Sequence, residues 1–597
     1  MSTSPRTAAG LAIASLLAAC AAQAAVTWYA VDPMSERRFM PDAKPVGGLE
    51  GEPVRIVAAQ GEYEPGSFVV TADADLGKVD FAVSDLKGEG GAAIPSSETD
   101  LATVKVWYQA GNAWFSYFQD TGLKLCPELL LHDEDLIRVD TEKVANYARL
   151  TEKDGTVHWR WLTSPRAVEN RLEDAGSYRV DDAFLSMKEN FQDAPAFAGA
   201  TIEKGRYKQF FLTVHVGADA KPGLYTGEIA LRRRADGQSV GAIPVRLRVL
   251  PFALPGPCTY FDWNKEFRTW FCEYVSLDMI RAVNGNDPAL AERQLRAILA
   301  DFVRHNETIP SFREATSRPE FAREAGMDLR HAGFGHMHLS WNKAEMRFAA
   351  RRLREKAERI AGAPVEGYAS WGDEYGLATL RGIRDMVRAY HDEGFLFPVN
   401  SHYGYAAGGY LADLFWPPYN PDLSSKNATE HYNNLGGAGH FGWYASQHVG
   451  VENPAFIRRQ YGLGPYRAGF SANYNYAHHL QGWNDISHST YRPMMFVYGC
   501  GGGCLDTIQW EAFREAIDDI RYATLLQQLA RPLVGSSDVP KRYAARKALQ
   551  CLSDLDGDDY DLGATRLEIV RHILALRECG AQPVASGERR VVRGNAL

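Results

Sequence analysis

Two carboxylates stand side by side at Asp373 and Glu374, where an apolar, aromatic run over 365–371 breaks at Gly372. A carboxyl group held near aromatic side chains loses hydration, and a neighbouring negative charge adds repulsion; both raise its pKa. An acid kept protonated near neutral pH can donate to a leaving oxygen, so this pair has the makings of a general acid beside a charged partner. The dipeptide alone does not establish that role. Asp133-Glu134 and Asp392-Glu393 repeat it in a polar loop and at a helix end, where solvated surface is the simpler reading. For 373–374 itself the competing reading is a charged helix start.

Aromatic residues gather in the same part of the chain, with eight of the 13 tryptophans between 258 and 510. Trp263, Trp371, Trp416 and Trp443 fall at or near predicted strand ends, as do Tyr444, Tyr474 and Tyr476. Aromatic faces stack on the apolar faces of sugar rings, which makes these residues candidate glycan contacts. Asn400, His402 and Asp413, on or just beyond two of the same strands, complete the candidate set. Packing is the competing role for most of these rings.

Other constellations are weaker. His336 and His338 have the i, i+2 spacing of one strand face, which more simply carries two polar side chains than a metal pair. His478-His479 lacks ligand spacing. Asp554–Asp558 begins like a calcium loop, but Asp559 stands where glycine is needed and no Glu closes it. Cys500 and Cys504 flank three glycines, as either a small disulfide loop or two buried thiols beside a turn. Phosphate-loop and Gly-x-Ser-x-Gly motifs are absent.

The elements that must position the acidic pair follow from periodicity. Residues 26–250 carry short alternating runs, such as 66–71, 208–214, 224–231 and 243–250, separated by turns. They predict an antiparallel β-sandwich, with a Trp-, Asp- and Glu-rich elaboration over 108–205. Three prolines in 251–257 mark a boundary. Beyond it, apolar runs alternate with amphipathic helices, the pattern of βα units. Strands are predicted at 259–263, 365–371, 395–400, 411–416, 440–444, 468–474 and 493–498, and helices at 288–304, 343–361, 377–393 and 510–529. The span 258–530 is long enough for a (β/α)8 barrel. A helical extension, 531–597, follows. The charges at Arg514, Glu515, Asp518 and Asp519 read as ion pairs that lock the last barrel helix in place.

Composition sets the outer limits. A formal net charge of -9 without a long basic run argues against nucleic acid as partner. Eight cysteines in 597 residues are too few for a disulfide scaffold. Arg6, the apolar stretch 8–19 and Ala22-Gln23-Ala24 have the form of an export signal over 1–25; Leu17–Cys20 also fits a lipobox that would lipidate Cys20. Either form predicts an exported protein: periplasmic, secreted or an outer-membrane lipoprotein. Membrane contact would come only through that lipid.

Taken together, these motifs resemble glycoside hydrolase family 123, the exo-acting β-N-acetylgalactosaminidases. The resemblance rests on Gly61–Glu64, Asp219–Gly227, Phe252–Pro255, Tyr368–Glu374, Leu411–Pro417, Gly442–Tyr444 and Trp510–Tyr522 in their order and spacing. It implies a retaining, substrate-assisted hydrolysis of β-linked N-acetylhexosamine, with a glycan as substrate and no metal or cofactor. The 2-acetamido oxygen of the sugar would attack the anomeric carbon, Asp373 would orient the acetamido N–H, and Glu374 would serve as acid and then base. Tyr375-Gly376 follows the pair where the family has proline. The competing readings are a non-catalytic surface glycan-binding protein, a glycosidase for a sugar lacking the acetamide, and a metal-dependent hydrolase using His336 and His338.

Overall fold

The computed structural model describes residues 26–109, 123–162, 187–273, 275–310, 316–335, 337–340, 342–369, 375–400, 414–416, 440–444, 453–479, 495–556 and 560–583. Two sheets come first, antiparallel apart from one parallel pair. One contains β1 (Val26–Val31), β3 (Tyr63–Ala72), β5 (Thr99–Gln109), β6 (Lys124–Leu131) and β11 (Lys208–His215), paired in the order β1-β3-β11-β5-β6. The other pairs β10 (Ala200–Ile202), β4 (Gly77–Val83), β12 (Gly223–Arg233), β13 (Ser239–Ala253) and β2 (Val54–Gln60), the last two in parallel. Along β13, Ile243, Val245, Leu247 and Val249 are buried while Pro244, Arg246 and Arg248 face water. This period of two buries one side of the strand against Phe68, Val70, Phe210 and Leu212 of the first sheet. A small sheet of β7 (Ile137–Asp140), β8 (Ala145–Thr151) and β9 (Val157–Trp161) lies within the predicted elaboration.

The second half contains five parallel strands: β14 (Arg268–Glu273), β15 (Pro398–Asn400), β16 (Leu414–Trp416), β17 (His440–Tyr444) and β18 (Ala472–His479), in the order β14-β18-β17-β16-β15. This corrects the expected (β/α)8 barrel, because the described residues form an open, curled sheet and no closed ring of eight strands. Three predicted strands account for the difference. Residues 259–263 form a turn, with Thr259 Oγ1 donating to Asp262 O at 2.8 Å, and the first strand begins only at Arg268. Among the described residues 365–369, Tyr368 alone pairs, through single parallel bridges to Gly333 and Leu396. Of the 493–498 run, residues 495–497 lie outside any strand and Tyr498 opens an antiparallel hairpin, β19 (Tyr498–Cys500) with β20 (Gly503–Leu505). Apolar composition marks each segment as buried, but burial alone does not supply a ladder partner.

Helices pack on this sheet. In α1 (Pro288–Arg304), Asp287 caps the N–H groups of Ala289 and Leu290, and Leu295, Ile298, Leu299 and Phe302 form the buried face. α2 (Lys343–Ala361) follows, and α3 (Pro454–Tyr461) leads into β18. The longest helix, α4 (Ile508–Ala530), is capped by Thr507 and is buried all round except at Arg521. α5 (Val539–Ser553) and α6 (Leu562–Glu578) close over α4.

Because α4 is buried, each of its charges needs a partner. Arg566 of α6 bonds Glu515 Oε2 (2.6 Å), Asp519 Oδ1 (2.6 Å) and Glu64 Oε2 (3.0 Å), the last from the first sheet. Arg458 of α3 forks onto Asp519 at 2.7 and 2.8 Å. Burial pushes the Asp519 carboxyl up, but Arg458 and Arg566 outweigh that and hold it below its ordinary range. Nearby, the Tyr522 hydroxyl and the Ala59 N–H both donate to Glu62 Oε2, at 2.8 and 2.5 Å. Burial, reinforced by the charge of Asp518, raises Glu62 to about 8.

Two outcomes follow for stability. Arg566→Met leaves Glu64, Glu515 and Asp519 buried without their shared cation, so denaturant unfolding should show a loss of about 3–5 kcal/mol; Arg571→Met, on an exposed part of the same helix, should cost less than about 1 kcal/mol. Glu62 has a folded pKa above its ordinary 4.5, so its contribution is complete below pH 4.5 and fades as pH rises through about 8. Glu62→Gln should remove that fall in the unfolding midpoint between about pH 5 and about pH 8.5.

Candidate active site

Parallel strands point their carboxyl ends the same way, and ligands of such sheets bind at that edge, where backbone pairing ends and loops begin. Here the edge is formed by Glu273, Asn400, Trp416, Tyr444 and His479, the last residues of β14 to β18. Ladder register sets aromatic residues in one row beneath it: Trp270 pairs with Tyr474, and Tyr474 with Tyr444. Trp270, Tyr368, Leu396, Ala472 and Tyr474 share one buried cluster, with the Trp270 and Tyr368 rings edge to face at 6.4 Å.

The structure separates the candidate residues. Tyr474 is buried in the row just described. Asn400, Trp416, Trp443, Tyr444 and Tyr476 have backbones in β15 to β18, but their side chains lie outside the described residues. Asp373, Glu374, Trp371, His402 and Asp413 also lie outside them, as do Cys20 and His336. Trp263 is not brought to the edge. It sits half-buried in the turn before β14, where Lys265 N donates to Asp262 O and neighbouring Tyr260 packs on Tyr466, ahead of β18. That places it by the amino ends of both strands.

Sequence reasoning missed a set of buried polar groups at the carboxyl ends. Glu273, which ends β14, accepts from His478 Nδ1 at 2.7 Å, and His479 Nδ1 stands 3.7 Å from its other oxygen. Burial raises the Glu273 carboxyl, but the His478 hydrogen bond and the nearness of both histidines more than offset it and bring it down to about 2. Asp301 of α1 accepts from Trp510 Nε1 at 3.0 Å. His305 bonds the Asp301 carbonyl (2.9 Å) and Glu511 (3.2 Å), and the Asp301 charge outweighs burial to lift it to about 10. Phe302 and Trp510 cover His478, with ring centroids 4.0 and 4.9 Å away. The adjacent histidines did signal this cluster, but their acidic partners are more than 170 residues distant in sequence.

The cysteine question is settled by register. Cys500 pairs with Gly503 and Gly499 with Cys504 across the β19–β20 hairpin, so the cysteines are not opposed, and both are free thiols. His338 donates its backbone N–H to Tyr390 Oη at 2.9 Å.

The arrangement of two face-packed sheets followed by a curled parallel sheet is similar in fold to a solved glycoside hydrolase. A family 123 glycoside hydrolase from Clostridium perfringens, studied for glycolipid glycan hydrolysis, aligns with 88% of this chain and 93% of its own at a TM-score of 0.56 and 12% identity. At that identity the likeness is one of fold. Two β-glucuronidases align much less well: one from Bacteroides uniformis (TM-score 0.25, 11% identity, 72% of this chain and 45% of its own) and one from Ruminococcus gnavus (TM-score 0.28, 6% identity, 71% and 98%). No protein-family model and no curated protein sequence matches the chain.

Free Cys500 and Cys504 should react with a thiol-specific reagent in denaturant without prior reduction, and not in the native protein, where burial pushes both thiols up. Counting modified cysteines by intact mass, with and without reductant, checks this.

Proposed function

We propose that the chain is an exported glycoside hydrolase that removes terminal β-linked N-acetylhexosamine, N-acetylgalactosamine in particular, with retention of configuration. The observation carrying this reading is the fold shared with the Clostridium perfringens family 123 enzyme along most of both chains. Two features of this chain support it. The acidic pair begins five residues after Tyr368, whose parallel bridge to Leu396 sets its segment beside β15. The row Trp270–Tyr474–Tyr444 leads to the same edge.

In the proposed reaction the acetamido oxygen of the bound sugar attacks the anomeric carbon as the glycosidic bond breaks. Glu374 passes its proton to the departing oxygen, and Asp373 holds the acetamido N–H and balances the charge that develops on the ring. Water then attacks the anomeric carbon, giving its proton to the Glu374 carboxylate, and the acetamide is restored. Adjacent carboxylates suit this division of labour, because one must be an acid while its neighbour stays charged. Export rests on Arg6, the apolar stretch 8–19 and Ala22-Gln23-Ala24.

A panel of nitrophenyl β-glycosides with and without a 2-acetamido group tests the reading. Turnover should be confined to the acetamido sugars, and Glu374→Gln should lower it by about 10²-fold or more in a normally folded protein. Equal turnover of sugars lacking the acetamide would exclude substrate assistance, and an unchanged Glu374→Gln enzyme would exclude Glu374 as the acid.

A further inference from the structure

We propose that Asp301, His478 and Cys504 bind a divalent transition-metal ion, zinc by the chemistry of the ligands, at a site where α1, β18 and β20 meet. The ligand atoms of these three side chains lie within 4.8 Å of one another. His478 Nε2 is fully buried, makes no hydrogen bond, and faces Asp301 Oδ2 at 3.5 Å. Zinc bonds to nitrogen and carboxylate oxygen are about 2.0–2.2 Å, so neighbouring ligands around a tetrahedral ion stand about 3.3–3.6 Å apart. The observed gap matches that edge and is too long for a good hydrogen bond.

The partner of the other ring nitrogen strengthens the assignment. His478 Nδ1 is held by Glu273 Oε2 at 2.7 Å. A carboxylate on one imidazole nitrogen, turning the other toward the ion, is the usual arrangement of a metal-bound histidine. Without an ion, the buried Nε2 faces only the Asp301 carboxylate, at 3.5 Å. His305 is not a ligand, since both its nitrogens are engaged.

Asp506 reaches the same corner: its carboxylate groups with Asp301 and His305 within 4.8 Å, and its buried Oδ1 has no hydrogen-bond partner. A cavity of about 220 Å³, lined by Asp100, His132, Arg304, Cys504, Asp506 and Glu511, borders the cluster and gives the ion a polar way in. A thiolate, an imidazole and a carboxylate together favour zinc over magnesium or calcium, which take oxygen ligands. Binding displaces the Cys504 proton to solvent through that cavity and adds no redox step. The ion would tie the carboxyl end of β18 to α1 and to the hairpin before α4.

The test uses the full chain with Cys551→Ser, because Cys551 stands beside Glu568 and His572 in a second, partly exposed cluster. Elemental analysis of the purified protein should find one zinc per chain, and replacement by cobalt should give a thiolate-to-cobalt charge-transfer band. Cys504→Ser should abolish the band and Cys500→Ser keep it. Glu273→Gln should weaken cobalt binding by about 10–100-fold. If Cys504→Ser does not fold, Cys504→Asp should retain cobalt yet lose the band. Wild-type protein with a native near-ultraviolet circular dichroism spectrum that takes up no cobalt, or a band that survives at Cys504→Ser, overturns the site.

Discussion

The constraint on which the architecture depends is the burial of α4 with its charges attached. Arg514, Glu515, Asp518 and Asp519 are almost inaccessible to water, and a buried charge without a partner costs several kcal/mol. Two partners come from distant parts of the chain, Arg458 from α3 and Arg566 from α6, and Arg566 also reaches Glu64 of the first sheet. One guanidinium therefore ties a strand near the start of the chain to a helix near its end. Hydrophobic burial would hold these elements together in many relative positions, whereas shared forks onto Asp519 and Glu515 accept very few.

The same element orders the carboxyl edge of the parallel sheet. Trp510, in the first turn of α4, donates to Asp301 and covers His478, while Glu511 holds His305. Leu130 of β6 donates to the Asp506 carbonyl at 2.9 Å, and Glu128 accepts from Trp107, Gln109 and Tyr498. The two halves of the chain thus meet through directional bonds beside the strand ends, and a displacement in the sheets would be felt there. That coupling gives the carboxyl edge of β14 to β18 a rigid base.

Much of the local structure was legible in sequence because its causes are local. Alternation over 243–250 reappears in the burial of β13, and Asp287-Pro288 marks the start of α1. The ion-pair role of Arg514, Glu515, Asp518 and Asp519 could be read from acidic and basic residues on a strongly apolar helix, although their partners could not. The failures share a cause. The apolar run 365–371 looks like any buried strand, yet among its described residues, 365–369, only Tyr368 finds bridge partners. Trp263 ends the predicted strand 259–263, but that segment is the turn before β14. Strand composition reports burial, whereas membership of a sheet depends on which distant segment comes alongside.

What sequence alone determined are the properties one segment can settle by itself: the placing of α1, α2 and α4, the strand periodicity of the first half, and the adjacency of Asp373 and Glu374. Tertiary structure alone decided whether the parallel sheet closes, where Trp263 sits, and that Cys500 and Cys504 remain thiols. It also decided that Glu273, Asp301, His478 and Cys504 converge. The physical reason is range: caps, turns and amphipathic faces act over a few residues, whereas the ladder partners and buried charge pairs that set these features are separated by up to about 500 residues along the chain.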